Sequence, residues 1–245
     1  MSVKLYGSAS IRPGNTGTFF YNESFRALGI EAKYEAWRFV EFDDLTKFVR
    51  SRVVAGLSIS MPFKQKIIGL CDSLDSSAQL ANSVNTLTLS ETGEIRGFSS
   101  DLFGVRESLR FLTDGNISIL GDGALSQIFQ LELDRLGRDF LVYSRKRNNW
   151  RSRVFASDNI INCTPIGMHG NDSPIYNLES CNYVVDPVIG STLLHNLSHS
   201  SSVKYFSGMD FYKEVFRHQF QIYTGQSLPN DLYTSILEVW RARHS

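Results

Sequence analysis

Short apolar stretches alternate with helical stretches along this 245-residue chain, and this alternation restricts the fold more than any other feature. Strands are predicted over Val3–Tyr6, Ala32–Phe39 and Gly56–Ser60. Between them, Glu23–Leu28 is predicted to be part of a helix that ends at Gly29, and Asp43–Ser51 to be a second helix. Strands separated by helices pair mostly in parallel, and such sheets bind ligands at the carboxyl ends of their strands. The sequence therefore predicts an α/β fold with its site at strand ends.

A second α/β unit is predicted to begin near Asp101, which suits the start of a helix because its carboxylate accepts orphan amide hydrogens. The later predicted elements are a helix over Leu102–Leu112, a strand over Asn116–Leu120, a helix over Gln127–Leu136, strands over Asp139–Tyr143, Phe155–Ile161 and Tyr183–Asp186, and a helix over Leu228–Arg243. The segment between Arg147 and Ile160 is short for a complete strand–helix unit. We therefore expect the second unit to be shortened between these two residues.

Composition narrows the choice of partner. The chain has 25 basic and 25 acidic residues, so no net field favours nucleic acid, and no polybasic run favours a membrane surface. No stretch is long enough to span a membrane, and the N-terminus lacks a signal-peptide pattern. Cys71, Cys163 and Cys181 are odd in number and have no metal-ligand spacing. We expect a cytoplasmic protein with reduced thiols, no metal and a small-molecule partner.

A glycine-rich turn follows the strand that ends at Leu120. In Gly121-x-Gly123-x-x-Ser126, two glycines allow a tight turn and close approach to a pyrophosphate, while the following helix offers its N-terminal amides. Ala124 stands beside the second glycine, and Ser126 takes the third small position. A carboxylate at Asp122 repels a pyrophosphate unless it points away. The pattern predicts a dinucleotide site.

The residues after the next strand indicate which dinucleotide binds. NAD sites usually carry an acid there for the ribose hydroxyls, whereas this chain has Ser144, Arg145, Lys146 and Arg147. Three cations suit a 2′-phosphate, so NADP is favoured over NAD. A solvated basic loop is the alternative interpretation of the same residues.

Three further segments carry a family resemblance. They are Gly56–Lys64, which ends in Ser60-Met-Pro-Phe-Lys64, Asn82–Leu87, which contains Asn85, and Gly97–Gly104, which contains Asp101. Separately, a lysine after Pro-Phe is usually a surface residue and an aspartate before an apolar helix is usually a cap. Together the segments resemble the shikimate dehydrogenase family, and the resemblance extends over essentially the whole chain.

The resemblance implies site residues. A ketone reduction needs a proton donor near the oxygen, and Lys64 is placed to transfer it, with Asp101 orienting the lysine and the substrate. Asn15, Thr18, Ser60 and Asn85 would bind substrate groups. Thr164 and Gly208 would join Gly121, Gly123, Ala124, Ser126, Ser144, Arg145 and Lys146 in holding the cofactor. Residues 1–100 with 227–245 would form a mixed or parallel α/β substrate domain, and residues 101–226 a Rossmann-like NADP domain, with a cleft between them.

The chain also departs from the main family pattern. The serines that bind the substrate carboxylate are replaced by the run Asn15-Thr-Gly-Thr18. The wider run Arg12–Thr18, together with Ser60–Lys64, resembles the shikimate dehydrogenase-like branch, and Arg12 is a further carboxylate candidate. Ile189 takes the place of a tyrosine, and Val215 that of the substrate-binding glutamine. Gln219, one helical turn further on, is a candidate replacement, although a glutamine shifted to another helix face is more often solvent-exposed.

The expected activity is NADP-linked interconversion of an alicyclic hydroxy acid and its ketone, with shikimate and 3-dehydroshikimate as first candidates. A quinate-type or other polyol substrate is the nearest alternative. A non-catalytic ligand-binding or regulatory protein that retains the fold is an alternative of another class. We expect a monomer or a homodimer.

Overall fold

A computed structural model describes residues 3–150, 157–168, 172–190 and 192–244. The chain divides into two compact units, Met1–Ser100 with Phe216–Ser245, and Asp101–Val215. Each unit is an α/β structure built around one sheet. The return to the first unit occurs at Phe216, within a helix, whereas the sequence prediction put it at residue 227.

The elements are named in chain order. They are β1 (Lys4–Ser10), α1 (Thr16–Ala27), β2 (Ala32–Arg38), α2 (Phe42–Arg50), β3 (Gly56–Ile59), a 3-10 helix (Lys66–Leu70), β4 (Ser73–Leu74), α3 (Ser76–Ala81), β5 (Thr86–Leu89), β6 (Ile95–Phe98), α4 (Asp101–Leu109), β7 (Ile117–Leu120), α5 (Ala124–Arg135), β8 (Phe140–Tyr143), β9 (Asn159–Asn162), β10 (Tyr183–Val185), α6 (Leu193–Ser200), β11 (Lys204–Phe206), α7 (Gly208–Thr224) and α8 (Asn230–His244).

The sheet of the first unit has the strand order β2-β1-β3-β5-β6-β4. The strands β1, β2 and β3 run parallel, whereas β5 is antiparallel to both β3 and β6. The carboxyl ends of β1, β3 and β6 therefore lie at the same edge as the beginning of β5. The segments that carry Ser60, Asn85 and Ser100 meet at this edge.

Apolar side chains on both faces of this sheet form the core. Leu45 and Val49 of α2 pack with Leu57 and Leu87 of the sheet, and all four are fully buried. On the other side, aromatic rings of α1 make edge-on and tilted contacts with those of α7 and α8; these rings are Phe20, Tyr21, Phe25, Phe216, Phe220 and Tyr233. Burying a side chain of this size contributes about 1.5–3 kcal/mol. This packing explains why the second half of α7 belongs to the first unit.

The second unit has a wholly parallel sheet of order β11-β10-β9-β7-β8. Its central strands β7, β9 and β10 are buried on both faces, as expected for strands that helices cover, whereas the edge strands β8 and β11 are partly exposed. Leu120, Ile160, Val184 and Leu194 form the centre of its core. Among the described residues between Tyr143 and Asn159 there is no helix, so the expectation of a shortened connection holds for that part of the chain.

The predicted α/β class, with a mixed first sheet and a Rossmann-like second unit, is confirmed. The predicted strand Phe155–Ile161 corresponds to β9, which begins at Asn159. Phe155 lies outside the described residues, which resume at Ser157. Among the residues with a described structure, no helix is both long and apolar enough to cross a membrane.

Candidate active site

The edge of the first sheet carries two of the predicted substrate residues, Ser60 and Asn85, on neighbouring segments. Ser60 follows the end of β3, and its amide donates to the carbonyl of Ala9 at 3.0 Å. The amide of Ile59 donates to the carbonyl of Asn85 at 2.8 Å. Ser60 is exposed, whereas Asn85 is buried with 3 % of its surface accessible. These backbone bonds join β1, β3 and the start of β5 at the site.

Lys64 is held in place through its backbone and its neighbour. Phe63 is buried in the core, and its amide donates to the carbonyl of Ser60 at 3.0 Å, which closes the turn that contains the cis Met61–Pro62 bond. The carbonyl of Lys64 accepts from the amide of Val84 at 2.9 Å. The half-buried lysine therefore lies beside the segment that carries Asn85.

Hydrogen bonds fix the orientation of the Asn85 side-chain amide. Its Oδ1 accepts from the amide of Ser100 at 2.8 Å, from the hydroxyl of Ser100 at 2.9 Å and from the hydroxyl of Thr86 at 2.8 Å. A backbone amide can only donate, so the carbonyl end of Asn85 must face Ser100. Within the described part of the chain, Nδ2 has no acceptor, and it is not among the fully buried unpartnered atoms. Asn85 therefore offers an N–H donor to a ligand.

Asp101 is the first residue of α4 and is 5 % exposed. It follows Ser100, whose amide and hydroxyl are both bound by Asn85. Its place in the first turn of a helix agrees with the sequence prediction. The role of its carboxylate toward a substrate stays a prediction.

The beginning of α1 carries the residues predicted to bind a carboxylate. The first helical bond runs from the amide of Phe19 to the carbonyl of Asn15 at 2.9 Å, so the amides of residues 16–18 precede it. Asn15 is the exposed N-cap residue, and its side chain does not cap the helix. The hydroxyl of Thr18 is buried and has no partner among the described residues, and Ser10 at the end of β1 has the same property. Such orphan groups call for a ligand or water.

Gln219 is buried, so the solvent-exposed alternative is wrong. Its amide binds four groups of the first unit, which leaves it no donor or acceptor for a ligand. This favours a positioning role over the direct substrate contact expected from the sequence. The helix-face argument failed because the partners of Gln219 lie more than 130 positions away in the chain.

Sequence reasoning missed the residues around Ser58. Its hydroxyl accepts from Tyr34 at 2.8 Å, bonds to the hydroxyl of Tyr223 at 2.9 Å and donates to Gln219 at 3.2 Å. Burial raises the pKa of Tyr34, so the phenol keeps its proton. A serine inside a buried four-residue strand was the available signal, because a polar group there needs partners.

The glycine turn of the second unit has the geometry of a phosphate-binding loop. Gly121 has a φ of +105°, and a Cβ there would lie 2.8 Å from the carbonyl oxygen of Cys163, so only glycine fits. Gly123 is the N-cap residue of α5 and has open space around its Cα. The first helical bond of α5 runs from Gln127 to Gly123, so the amides of residues 124–126, including Ala124, precede it. Ser126 is fully buried, as the position for close helix packing requires.

Asp122 is neutralised within this unit. Its Oδ2 lies 3.2 Å from Nε of Arg147, which resolves the repulsion expected between a carboxylate and a pyrophosphate. Arg145 and Lys146 are exposed at the end of β8, and within the described residues neither makes an ion pair. The buried Ser144 shapes the turn, because its hydroxyl accepts from the amide of Arg147 at 3.1 Å.

Thr164 lies in a loop that a buried carboxylate organises. The amide and hydroxyl of Thr164 both donate to Oδ1 of Asn162, at 3.0 and 2.7 Å, and Nδ2 of Asn162 donates to Asp186 at 2.9 Å. Burial raises the pKa of the Asp186 carboxyl. Gly208 begins α7, where a Cβ would lie 2.2 Å from the carbonyl oxygen of Val188. Backbone packing thus accounts for Gly208 without a ligand.

These residues fit a dinucleotide phosphate. Orphan amides at the start of a twelve-residue helix, an open N-cap glycine and two cations at the next strand end that make no ion pair within the described residues match the charge and shape of NADP. No group of three or more His, Cys, Asp or Glu side chains that could hold a metal ion occurs among the described residues.

Sequence comparisons connect these observations to known proteins. The family model described as "Shikimate dehydrogenase substrate binding domain" matches residues 16–87. The shikimate dehydrogenase (NADP(+)) of Staphylococcus epidermidis is 24% identical over 233 residues, covering 83% of this chain and 86% of that protein. A shikimate dehydrogenase-like protein of Haemophilus influenzae is 27% identical over 185 residues, covering 69% of this chain and 68% of its own length.

Solved structures share the fold. Shikimate dehydrogenase 1 from Peptoclostridium difficile matches with a TM-score of 0.87 at 19% identity, covering 98% of each chain. The 5-ketofructose reductase of a Gluconobacter species matches with a TM-score of 0.78 at 19% identity, covering 97% of this chain and 98% of that one. The resemblance to the shikimate dehydrogenase family that the sequence motifs predict is therefore confirmed, and this chain has the fold of a shikimate dehydrogenase over nearly its whole length.

Proposed function

We propose that this protein is an NADP-linked shikimate dehydrogenase-like oxidoreductase that interconverts an alicyclic hydroxy acid and its ketone. The observation that carries the proposal is the edge of the first sheet, where Lys64 lies beside a segment whose Asn85 presents a fixed N–H donor. The NADP(+)-named relative and the unpaired Arg145 and Lys146 support the cofactor.

The carboxylate of the substrate would lie at the beginning of α1. The amides of residues 16–18, the side chain of Asn15 and the buried hydroxyl of Thr18 are donors without internal partners there. The positive end of the helix dipole adds to this attraction. Ser60 and Asn85 would bind the hydroxyl groups of the ring.

Lys64 would move the proton. In the reducing direction its ammonium gives a proton to the ketone oxygen, becomes a neutral amine and is reprotonated from solvent. NADPH, when bound, supplies the hydride. Asp101 would orient the substrate through its carboxylate. In the second unit, the glycine turn would hold the pyrophosphate and Arg145 the 2′-phosphate.

A polyol is the second candidate substrate. Ile189 and Val215 are apolar where the family pattern has a tyrosine and a glutamine, so two hydroxyl contacts of the main family are missing. A structural neighbour that covers 97% of this chain is named as a reductase of 5-ketofructose. These observations favour a test with sugar-derived ketones beside the cyclic acids.

The experiment is a spectrophotometric assay of nicotinamide reduction with NADP⁺ and shikimate, with quinate and a polyol panel in parallel. Turnover with shikimate supports the proposal. Turnover with a different compound of the panel would identify that compound, instead of shikimate, as the substrate. Calorimetry with NADP⁺ and each compound separates a slow enzyme from a protein that only binds. Binding of a ring acid without any turnover would favour the non-catalytic alternative.

A further inference from the structure

Gln219 on α7 is connected to three other segments of the first unit. Its Oε1 accepts from the hydroxyl of Tyr21 at 2.9 Å and from the hydroxyl of Ser58 at 3.2 Å. Its Nε2 donates to the carbonyl of Asn85 at 3.1 Å and to Oγ1 of Thr86 at 2.8 Å. The backbone carbonyl of Asn85 can only accept, so the NH₂ end of Gln219 must face it. The orientation of the Gln219 amide is therefore determined.

This orientation determines the direction of the next hydrogen bond. Because Nε2 of Gln219 can only donate, Oγ1 of Thr86 accepts there and directs its own proton to another group. That group is Oδ1 of Asn85, at 2.8 Å. Oδ1 also receives the amide and the hydroxyl of Ser100. Three donors occupy this oxygen, so it has no lone pair left for a ligand.

We propose that Gln219 and Thr86 are positioning residues that act with the Ser100 amide to hold the polarity of Asn85, so that the substrate meets an N–H donor and never a carbonyl acceptor. This inference rests on the proposed function, which assigns Asn85 to the substrate. It also defines the chemistry of the recognised group. The group that faces Asn85 is a hydrogen-bond acceptor, such as a hydroxyl, carbonyl or carboxylate oxygen, and an ammonium group at the same place is rejected.

The main test replaces the hydroxyl of Thr86. Thr86→Val keeps the shape but removes one donor to Asn85 and leaves a buried proton of Gln219 without an acceptor. Losing such a group should raise the KM for the hydroxy acid by roughly tenfold or more, with a smaller change in kcat and in the KM for NADP⁺. Thr86→Ser retains the hydroxyl and should rescue the KM.

A matched control and a second variant complete the kinetic test. Thr46→Val makes the same change on α2, where the hydroxyl donates to the carbonyl of Phe42 at 2.9 Å, and should leave every KM unchanged. Gln219→Glu places an acceptor against the Asn85 carbonyl and draws the Thr86 proton away from Asn85, so it should also raise the KM. If Thr86→Val does not fold, Gln219→Glu is the variant used for the kinetic test.

A measurement without substrate separates this inference from the proposed function. The side-chain NH₂ signals of Asn85 in a ¹⁵N–¹H spectrum, assigned by their loss in Asn85→Asp, should move in Thr86→Val and stay in place in Thr46→Val. If the unmodified protein turns over nothing, the proposed function fails, and these signals alone decide the inference. An unmoved Asn85 signal in Thr86→Val, or an unchanged substrate KM in an active enzyme, would overturn it.

Discussion

Lys64 is the side chain on which the proposed chemistry depends most directly. Lys64→Ala removes the proton donor but leaves the surrounding backbone, since Val84 binds the carbonyl of residue 64 and not its side chain. Because proton transfer matters mainly in the transition state, kcat should fall on the order of a hundred- to ten-thousandfold with little change in KM. Steady-state kinetics with NADP⁺ and shikimate measure both.

The control for this variant is Lys66→Ala. Lys66 lies two positions further on, is exposed and has its ammonium 6.0 Å from the ring centre of Phe42. Removing it changes the local charge equally but should leave kcat within about twofold. Equal kinetics of the two variants would return Lys64 to the status of a surface residue.

Arg145 should distinguish between the two dinucleotides. It is exposed at the end of β8 and has no ion-pair partner in the described part of the chain, so its guanidinium is available for a 2′-phosphate. Arg145→Ala should weaken NADP⁺ about tenfold to a hundredfold and leave NAD⁺ nearly unchanged. Calorimetric titration with each nucleotide measures this selectivity, and an equal loss for both would contradict it.

Arg147 should behave differently although it lies in the same basic cluster. Its guanidinium neutralises Asp122, which lies inside the glycine turn. Arg147→Ala leaves an uncompensated carboxylate beside the pyrophosphate site and should weaken NADP⁺ and NAD⁺ to a similar extent. The double variant with Asp122→Asn should restore both affinities. A selective loss of NADP⁺ alone would instead place Arg147 on the 2′-phosphate.

At the scale of elements, hydrophobic periodicity predicted α2, α4, α5, α8 and most of the buried strands, but it missed the longest helix, α7, and the first part of α1. β2, β3, β7, β8, α2 and α5 lie within a few residues of their predicted bounds, because apolar spacing and glycine or proline stops determine them locally. The short β4, β5 and β6 were missed. These strands are defined by the pairing of β5 with β3 and β6 and of β4 with β6 rather than by a local apolar pattern.

The site was predictable only where one segment carries its own signal. The glycine turn was recognised from its spacing, and Lys64, Asn85 and Asp101 from a family resemblance. The pairing of Asp122 with Arg147, the burial of Gln219 and the partners of Ser58 depend on contacts between segments far apart in sequence. Physical reasoning on one stretch of chain contains no information about such contacts.

Asp186 connects the loops at the carboxyl edge of the second sheet. Its Oδ1 accepts from Asn162 at 2.9 Å and from the amide of Val188 at 3.2 Å, and its Oδ2 from Thr192 at 3.1 Å and from Tyr205 at 2.8 Å. In Asp186→Asn the carbonyl can keep the first two bonds, while the hydroxyls of Thr192 and Tyr205 can turn to accept from the new NH₂. The variant should therefore fold.

The pH dependence of this variant follows from the pKa of Asp186. Burial raises that pKa in the folded state, so the stability contributed by the group is fully present below its unfolded pKa of about 4 and is lost as the pH rises through the folded value. Asparagine does not titrate. The urea midpoint of Asp186→Asn minus that of the unmodified protein should therefore become larger as the pH rises from 4 to 7. Asp139→Asn, at an exposed position, is the control.

The opposite pH trend would mean that the four hydrogen-bond donors lower the pKa of Asp186 by more than burial raises it. If the midpoint difference falls between pH 4 and pH 7, the carboxylate is stabilised in the folded protein and its pKa is lowered. Asp186→Leu tests the network itself, because it leaves the four donors without an acceptor. It should lower the urea midpoint at every pH.

At the scale of the whole molecule, we propose that substrate binding and cofactor binding are divided between the two units. Substrate recognition is proposed for Met1–Ser100 with Phe216–Ser245, and cofactor binding for Asp101–Val215. A ligand that binds only the folded protein slows hydrogen exchange most at the amides it orders. Exchange can therefore locate each ligand separately.

Hydrogen–deuterium exchange with mass spectrometry should assign each ligand to its unit. NADP⁺ alone should protect residues 117–126, 143–149 and 162–168, because the glycine turn and the loops after β8 and β9 become ordered. Shikimate, or the substrate that replaces it, should protect residues 15–20, 58–64 and 84–87. Residues 32–50, in β2 and α2, are the internal control and should exchange as before. Protection by NADP⁺ confined to the first unit, or by the hydroxy acid confined to the second, would contradict this division, since the orphan amides proposed to bind anions lie at the start of α5 in the second unit and at the start of α1 in the first.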